Sequence, residues 1–348
     1  MANIQEVAKH AGVSISTVSR VLNNTARVKA EVKKRIEDSI RELNYQPNPA
    51  ARSLRTNRSH TIGLLVSDIQ NPFFMGLIQG IEDEALRHDY SLILCNSNED
   101  GQREQQYLEV LYSERVAGAI IVPVREQLSE AVTKKFRERN IPLLTVDRRV
   151  KNNDIDAVLV DNIRGACEAV THLINNGYRR IGVVSGPLNV TTGKDRLDGY
   201  RLALRQAGLP HDPALERSGP FDAATGRRLT EELLDLEDPV DAIFTCNNLL
   251  TMGAWDAIYF RNLKVASDIG LVGYDETYWA GFKTVSLTTV TQPVYDLGST
   301  AALRLFQKLD NPQVYSSNYR QEIILAPTLN VRGSSLPRNS STQIQEAG

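Results

Sequence analysis

Cysteine is scarce in this 348-residue chain. There are three, Cys95, Cys167 and Cys246, far apart and without a CxxC pair. That excludes a disulfide framework and leaves no cysteine in a recognisable metal-ligand or catalytic context. The five histidines, at 10, 60, 88, 172 and 211, are equally scattered, so no metal-ligand cluster can be read. Neither the GxxxxGK[ST] loop of nucleotide-using enzymes nor the GxSxG elbow of hydrolases occurs. A sugar kinase or hydrolase is therefore disfavoured, no cofactor is implied, and no enzymatic activity is expected. No apolar run approaches the roughly 18 residues that span a bilayer. The opening MANIQEVAKH lacks a basic-then-apolar signal pattern. The expectation is a cytoplasmic protein with no membrane partner.

What is present is ordinary in bulk and uneven in detail. The chain is 41% hydrophobic and 24% charged, with a formal net charge of -2, and is long enough for two or three domains. Up to residue 60, eleven Lys and Arg stand against five Asp and Glu, so this segment carries about +6 and the remainder about -8. A basic module on an acidic body suits a polyanion partner for the module alone; a solvated charged surface is the competing reading.

Three short helices can be read in that module. Asn3 can cap the first, with Glu6 at capping-box spacing, and Ile4, Val7, Ala8 and Ala11 form its apolar stripe. Gly12 permits a tight turn, and Ser14 caps the second helix. Val18, Val21 and Leu22 give this second helix a packed face, while Ile15, Ser16, Ser19, Arg20 and Asn23 lie opposite. The third helix carries Val32, Ile36, Ile40 and Leu43 on one side. Two helices joined by a short turn containing a small residue form a helix-turn-helix, whose second helix enters the major groove. Arg20 can then donate twice to a guanine, Ile15 can touch a thymine methyl and Ser16 can read either base type. Thr17, Ser19 and Asn23 suit phosphates. The competing reading is a polar surface helix in a small bundle.

IQEVAKHAGVSISTVSRVLNN followed by LNYQPNPAARSLR resembles, without gaps, the DNA-binding head of the LacI/GalR family of bacterial regulators. The resemblance implies a head over 1–46 that contacts DNA through Ile4, Gln5, Ser14, Ile15, Ser16, Thr17, Ser19, Arg20 and Asn23. It also implies a hinge helix and linker over 47–59, in which Leu54 wedges into the minor groove with Asn48, Ala51 and Arg55 nearby. Outside this context Leu54 would read as a packing residue. Lys29 departs from the Ser or Thr that often caps the third helix in the family.

From Thr61 onward, apolar runs of strand length alternate with helical segments: TIGLLVS, SLILCNS, AGAIIVPV and IPLLTVD, then a second series of DAVLVDN, RIGVVSG, DAIFTCN and IGLVGYD. Such alternation predicts parallel sheets covered on both faces, so the expected architecture is an all-α head followed by two doubly wound α/β lobes. The division places one lobe at 60–160 plus 291–322 and the other at 161–290 plus 323–333, with a disordered polar tail at 334–348. The tail lacks a leucine heptad, which argues against a tail-mediated tetramer. Ligands of open α/β sheets bind beyond the carboxyl ends of the strands, where Asp68, Asn71, Asn98, Asp147, Arg148, Asn247 and Asp275 collect.

This region resembles the family's effector core and the periplasmic sugar-binding proteins, ribose-binding protein among them. NPFF, CNSNED, TVDRR, KDRLDGY, GPFDAATG, CNN, VGYDE and TVTQP carry the likeness. The sugar-binding positions it implies are Asn71, Phe73, Phe74, Asn98, Asp147, Arg148, Arg196, Phe221, Asn247, Asp275 and Gln292. The chemistry agrees: aromatic faces stack on a sugar ring, charged groups bind hydroxyls strongly, and amides donate and accept at once. Singly, each Phe would read as core and Asp147–Arg148 as a solvated pair. Asn248 departs from the usual Asp at a position that often caps the next helix. Tyr278 and Trp279 are further candidates for the cleft border. The expected function is a transcription regulator, working as a homodimer on double-stranded operator DNA under control of a ribose-like effector. A regulator of another effector class or a partner protein, or a transport-type sugar-binding protein, is the alternative.

Overall fold

The computed structural model describes residues 2–22, 28–45, 59–151, 155–276, 286–311 and 320–337. Asn23, Asn48, Ala51, Leu54, Arg55, Tyr278, Trp279 and most of the hinge and tail lie outside these residues; the start of the expected disordered tail is instead ordered, with Ser334 and Ser335 buried and Ser334 Oγ accepting the Thr288 N–H and donating to the Leu271 carbonyl. The chain divides into two units, residues 1–59 and 60–348.

The first unit contains α1 (Ile4–His10), α2 (Ile15–Leu22) and α3 (Ala30–Glu42). The Asn3 side chain accepts from the N–H groups of Gln5 and Glu6, and Glu6 accepts the Asn3 N–H at 3.0 Å, which closes the predicted capping box. Gly12 turns the chain at φ 62°. Ser14 Oγ then accepts the Thr17 N–H at 3.2 Å to start α2. Val7, Ala8, Ala11, Val18 and Ile36 form the buried centre of this unit, with the remaining predicted apolar positions packed around them. Lys29 occupies the N-cap of α3 and makes no side-chain cap bond.

The second unit holds two six-stranded sheets. In the first, β1 (Thr61–Val66), β2 (Ser91–Asn96), β3 (Ala119–Ile121), β4 (Leu143–Val146), β5 (Asp156–Val160) and β11 (Glu322–Leu325) run in the order β2-β1-β3-β4-β5-β11, all parallel. In the second, β6 (Ile181–Ser185), β7 (Glu216–Ser218), β8 (Ala242–Thr245), β9 (Gly270–Tyr274), β10 (Thr288–Thr291) and β12 (Thr328–Asn330) run β7-β6-β8-β9-β10-β12; only β12 is antiparallel. Helices α4 (Phe73–Arg87), α5 (Gly101–Ser113), α6 (Glu130–Glu138) and α11 (Val294–Asp310) belong to the first lobe. Helices α7 (Asn162–Asn175), α8 (Thr191–Gln206), α9 (Ala223–Leu234) and α10 (Asn248–Phe260) belong to the second.

Side chains alternate between the two faces of each sheet. In β1, Ile62, Leu64 and Val66 enter one core cluster and Leu65 the other. Both faces are covered by helices, so the strands read as unbroken apolar runs. Three expectations about strands and lobe boundaries are corrected. DAVLVDN, grouped with the second series of strands, is β5 of the first sheet. The last crossing between lobes follows Leu325 and not residue 322, because all of β11 pairs with β5. Likewise Thr291 ends β10 of the second sheet, so the middle crossing follows it.

Each lobe begins with the strand order of a doubly wound fold whose switch point lies between its first and third strands. The carboxyl ends of β1 and β4 in one lobe, and of β6, β8, β9 and β10 in the other, deliver polar residues into one cleft.

Candidate functional site

The head presents its polar helix face as read. Ile15, Ser16 and Arg20 are exposed on α2, opposite buried Val18. Thr17 and Ser19 are half-buried at its margin, and Gln5 is exposed on α1, while Ile4 packs partly against the core. Ser14 Oγ lies 2.8 Å from both Ser16 Oγ and Thr17 Oγ1, so these hydroxyls form one small polar cluster at the start of the helix.

The cleft of the second unit narrows to a small polar cavity, with about 30 Å³ open to the centres of water-sized molecules. It is lined by Asn71, Phe73, Phe74, Asp147, Arg148, Arg196, Phe221, Asn247, Asp275 and Gln292. Ten of the eleven residues named from sequence thus come together. The exception is Asn98, which is exposed and does not line the cavity. Asn98 and Glu99 both take left-handed backbone, φ 53° and 54°, and this turn sends Glu99 inward in its place. Glu99 and Thr192 are lining residues that the sequence did not point to, while Asp68, placed at a strand end from the sequence but not among the sugar-binding positions, also lines the cavity. Thr192 lies four residues before Arg196 on α8, a spacing that shares one helix face and would have found it.

Charge inside the cavity is tightly arranged. The Arg148 guanidinium donates twice to Glu99, at 2.8 and 2.6 Å, and once to the Pro123 carbonyl at 3.2 Å. Burial pushes the Glu99 carboxyl up, but the Arg148 charge and hydrogen bonds together outweigh it and hold Glu99 below the ordinary range. Arg196 donates to Asn162 Oδ1 at 2.7 Å and to the Cys246 carbonyl at 2.6 Å, and stacks 3.8 Å over the Tyr274 ring. Its guanidinium stands 3.9 Å from Asp275, which accepts from Gln292 Nε2 at 2.5 Å. Asp147 is held more loosely: its Oδ2 stands 3.7 Å from Arg148 Nε, and no hydrogen bond reaches its Oδ1. Burial raises its carboxyl to about 6, against the pull of Arg148 and Arg196, and the neighbouring charges of Asp275 and Glu99 push the same way as burial.

Four buried polar atoms in the lining have no hydrogen-bond partner: Asp147 Oδ1, Arg148 Nε, Thr192 Oγ1 and Gln292 Oε1. They comprise two acceptors, one donor and one hydroxyl, all on residues that line the cavity. Phe73 and Phe74 meet edge-on at 5.1 Å on the first turn of α4, and Phe221 lines the cavity from the second lobe with the Arg148 guanidinium 5.7 Å from its ring centre. Asn247 lines the cavity and also caps α10, accepting the Leu250 N–H at 2.8 Å. The cap was expected of the position after it; Asn248 instead donates across the cleft to Asn71. Among the described residues no group of His, Cys, Asp and Glu is placed to hold a metal ion, and no helix is long and apolar enough to cross a membrane.

Residues 3–48 match the family described as bacterial regulatory proteins, lacI family, and residues 59–324 match the periplasmic binding proteins and sugar binding domain of LacI family. The ribose operon repressor of Escherichia coli K12 is 36% identical over 335 residues, covering 96% of this chain and 100% of the relative. The crystal structure of the lac repressor dimer bound to operator and an anti-inducer superposes with a TM-score of 0.84 at 28% identity, covering 96% of this chain and 99% of that one. A LacI family regulator from Enterococcus faecium with bound ribose superposes with a TM-score of 0.71 at 29% identity, covering 80% of this chain and 99% of that one. With both halves matched and the fold shared from end to end, this chain belongs to the LacI family of DNA-binding transcription regulators, proteins that control genes and are not enzymes.

Proposed function

We propose that this protein is a repressor of carbohydrate-related genes, released from or driven to its operator by a ribose-like sugar bound between the lobes. The observation that carries the sugar is the set of four buried atoms without a hydrogen-bond partner, Asp147 Oδ1, Arg148 Nε, Thr192 Oγ1 and Gln292 Oε1, on residues that line one small cavity. A polyol offers hydroxyls that donate and accept at once, so one small molecule can satisfy acceptors and donors together. Phe74 and Phe221 add apolar surface for its ring faces. A group left unpaired in such a site costs about 1–3 kcal/mol, so a ligand that pairs all four has a large advantage over one that pairs two.

In the same reading Ile15, Ser16 and Arg20 contact base edges, and Ile4, Gln5, Ser14, Thr17, Ser19 and Asn23 contact the backbone and flanks. Asn48, Ala51, Leu54 and Arg55 serve the minor groove. A homodimer on a near-palindromic site follows from the two-fold logic of paired recognition helices, and the lac repressor it resembles was crystallised as an operator-bound dimer.

The test is calorimetry of the full chain with D-ribose, other pentoses, hexoses and their phosphates, followed by operator binding with and without the sugar that binds. Heat from ribose and a sugar-dependent change in operator affinity are expected. Silence with every sugar, set against binding of a nucleobase or a protein, would transfer the cleft to another effector class.

A further inference from the structure

Two carboxamides meet across the cleft. Asn248 opens α10 in the second lobe, and Asn71 precedes α4 in the first. Asn248 Nδ2 donates to Asn71 Oδ1 at 2.8 Å. The orientation of each amide is set independently by a backbone donor. The Phe73 N–H points at Asn71 Oδ1 at 3.0 Å, and the Leu249 N–H points at Asn248 Oδ1 at 2.8 Å. An N–H needs an oxygen, so neither side chain can flip without stranding a backbone group. Both amides are buried. Asn71 lines the cavity and Asn248 does not. With its oxygen taken twice, Asn71 has only its Nδ2 donor left to offer.

We propose that Asn248 is a positioning residue for the effector: it fixes Asn71 so that an N–H donor faces the cavity, and it fastens the two lobes together. This rests on the reading of the cleft as the effector site. A second bond supports the same closure nearby, where the Arg149 N–H donates to Thr191 Oγ1 at 3.0 Å from one lobe to the other. That bond uses backbone on one side. The Asn71–Asn248 bond uses side chains on both, so sequence can tune it. Asn248→Asp is the sharpest change. Its first oxygen still accepts the Leu249 N–H, and its second would face Asn71 Oδ1, oxygen against oxygen, where a donor stood.

The test uses the full chain in two measurements. In the first, fluorescent dyes are attached through non-canonical residues at Gln102 on α5 and Arg228 on α9, both exposed, and the distance between lobes is recorded without any sugar. Wild type should give a single short distance, and N248D should add a longer one. In the second, D-ribose and its deoxy analogues are titrated by calorimetry. N248D should weaken ribose by roughly 5- to 30-fold, the range for losing one bond and stranding a buried acceptor. It should also flatten the penalty for the one deoxy analogue that lacks the oxygen Asn71 contacts, a coupling that general loosening does not produce. If N248D does not fold, N248A is read in the same way. An unchanged lobe distance in a folded variant overturns the proposal, as does an undiminished ribose affinity or an intact deoxy penalty. Absence of ribose binding in wild type would instead sink the sugar reading, and the distance measurement would still judge Asn248.

Discussion

Arg20 and Asp147 sit in opposite environments, one exposed on a helix face and the other buried in the cleft. Arg20 is exposed on α2, away from the buried face that carries Val18. Arg20→Ala should therefore leave folding intact and cost roughly 1–3 kcal/mol against the operator, with relaxed preference at one base pair. Anisotropy with operators varied one base pair at a time reads both effects; unchanged base preference would take Arg20 off the bases. Asp147 titrates near 6 because burial disfavours its charge, while its ordinary value is 3.8. The folded state binds this proton more tightly than the unfolded chain. The group's contribution to stability thus improves as pH falls through about 6 and is complete below about 4. Ligand binding has the opposite sign if a sugar hydroxyl donates to the carboxylate. At pH 5 about one molecule in ten keeps the charge, so ribose affinity should fall by up to about tenfold between pH 7.5 and 5. In Asp147→Asn that slope should flatten; a slope of equal size would assign the proton elsewhere. At this scale strand ends located the polar lining, such as Asn71, Asp147, Asn247 and Asp275, while Phe73, Phe74, Arg196, Phe221 and Gln292 came from the resemblance to sugar-binding proteins. Glu99 escaped because a two-residue left-handed turn decides whether position 98 or 99 points inward, and a sequence of polar residues does not display φ.

At the scale of elements, periodicity served the helices and buried strands better than the edges. The α1 capping box and the α2 and α3 faces were readable because caps and 3.6-residue stripes are local. β10 was not read as a strand although it is buried, because three of its four residues are threonine, and β7, β11 and β12 were also missed. These last three are edge strands, three or four residues long and partly exposed, so they lack the continuous apolar run of the central strands. Close helix contacts were also hidden. Gly226 and Gly253 let α9 and α10 approach until a Cβ on either would run into the other helix's backbone, Leu250 and Ala223 respectively. Nothing local marks such a glycine as a contact point. Gly253→Ala should destabilise the second lobe by about 1–3 kcal/mol through overpacking. Denaturant unfolding followed by far-ultraviolet dichroism would show it. A midpoint equal to wild type would mean that the helices separate at no cost.

At the scale of the whole molecule, the two units have separate cores, so a ligand in the cleft can alter operator affinity only by binding two arrangements of the lobes unequally. Asp275 is the residue through which to test this. It accepts from Gln292 and faces Arg196 inside the second lobe. Asp275→Ala removes a buried acceptor and strands those donors, which should cost about 2 kcal/mol or more of ribose affinity. The head keeps its own caps and core, so operator affinity without sugar should change little. Linkage then fixes the rest: the mutant should reach the same sugar-dependent shift in operator binding, displaced to roughly 30-fold higher ribose, since each 1.4 kcal/mol is tenfold. Operator anisotropy across a ribose titration in both proteins measures the displacement. Superimposed curves would remove Asp275 from the effector site. A mutant that fails to shift at saturating sugar would instead place Asp275 in the coupling between lobe arrangement and head, beyond its role in affinity.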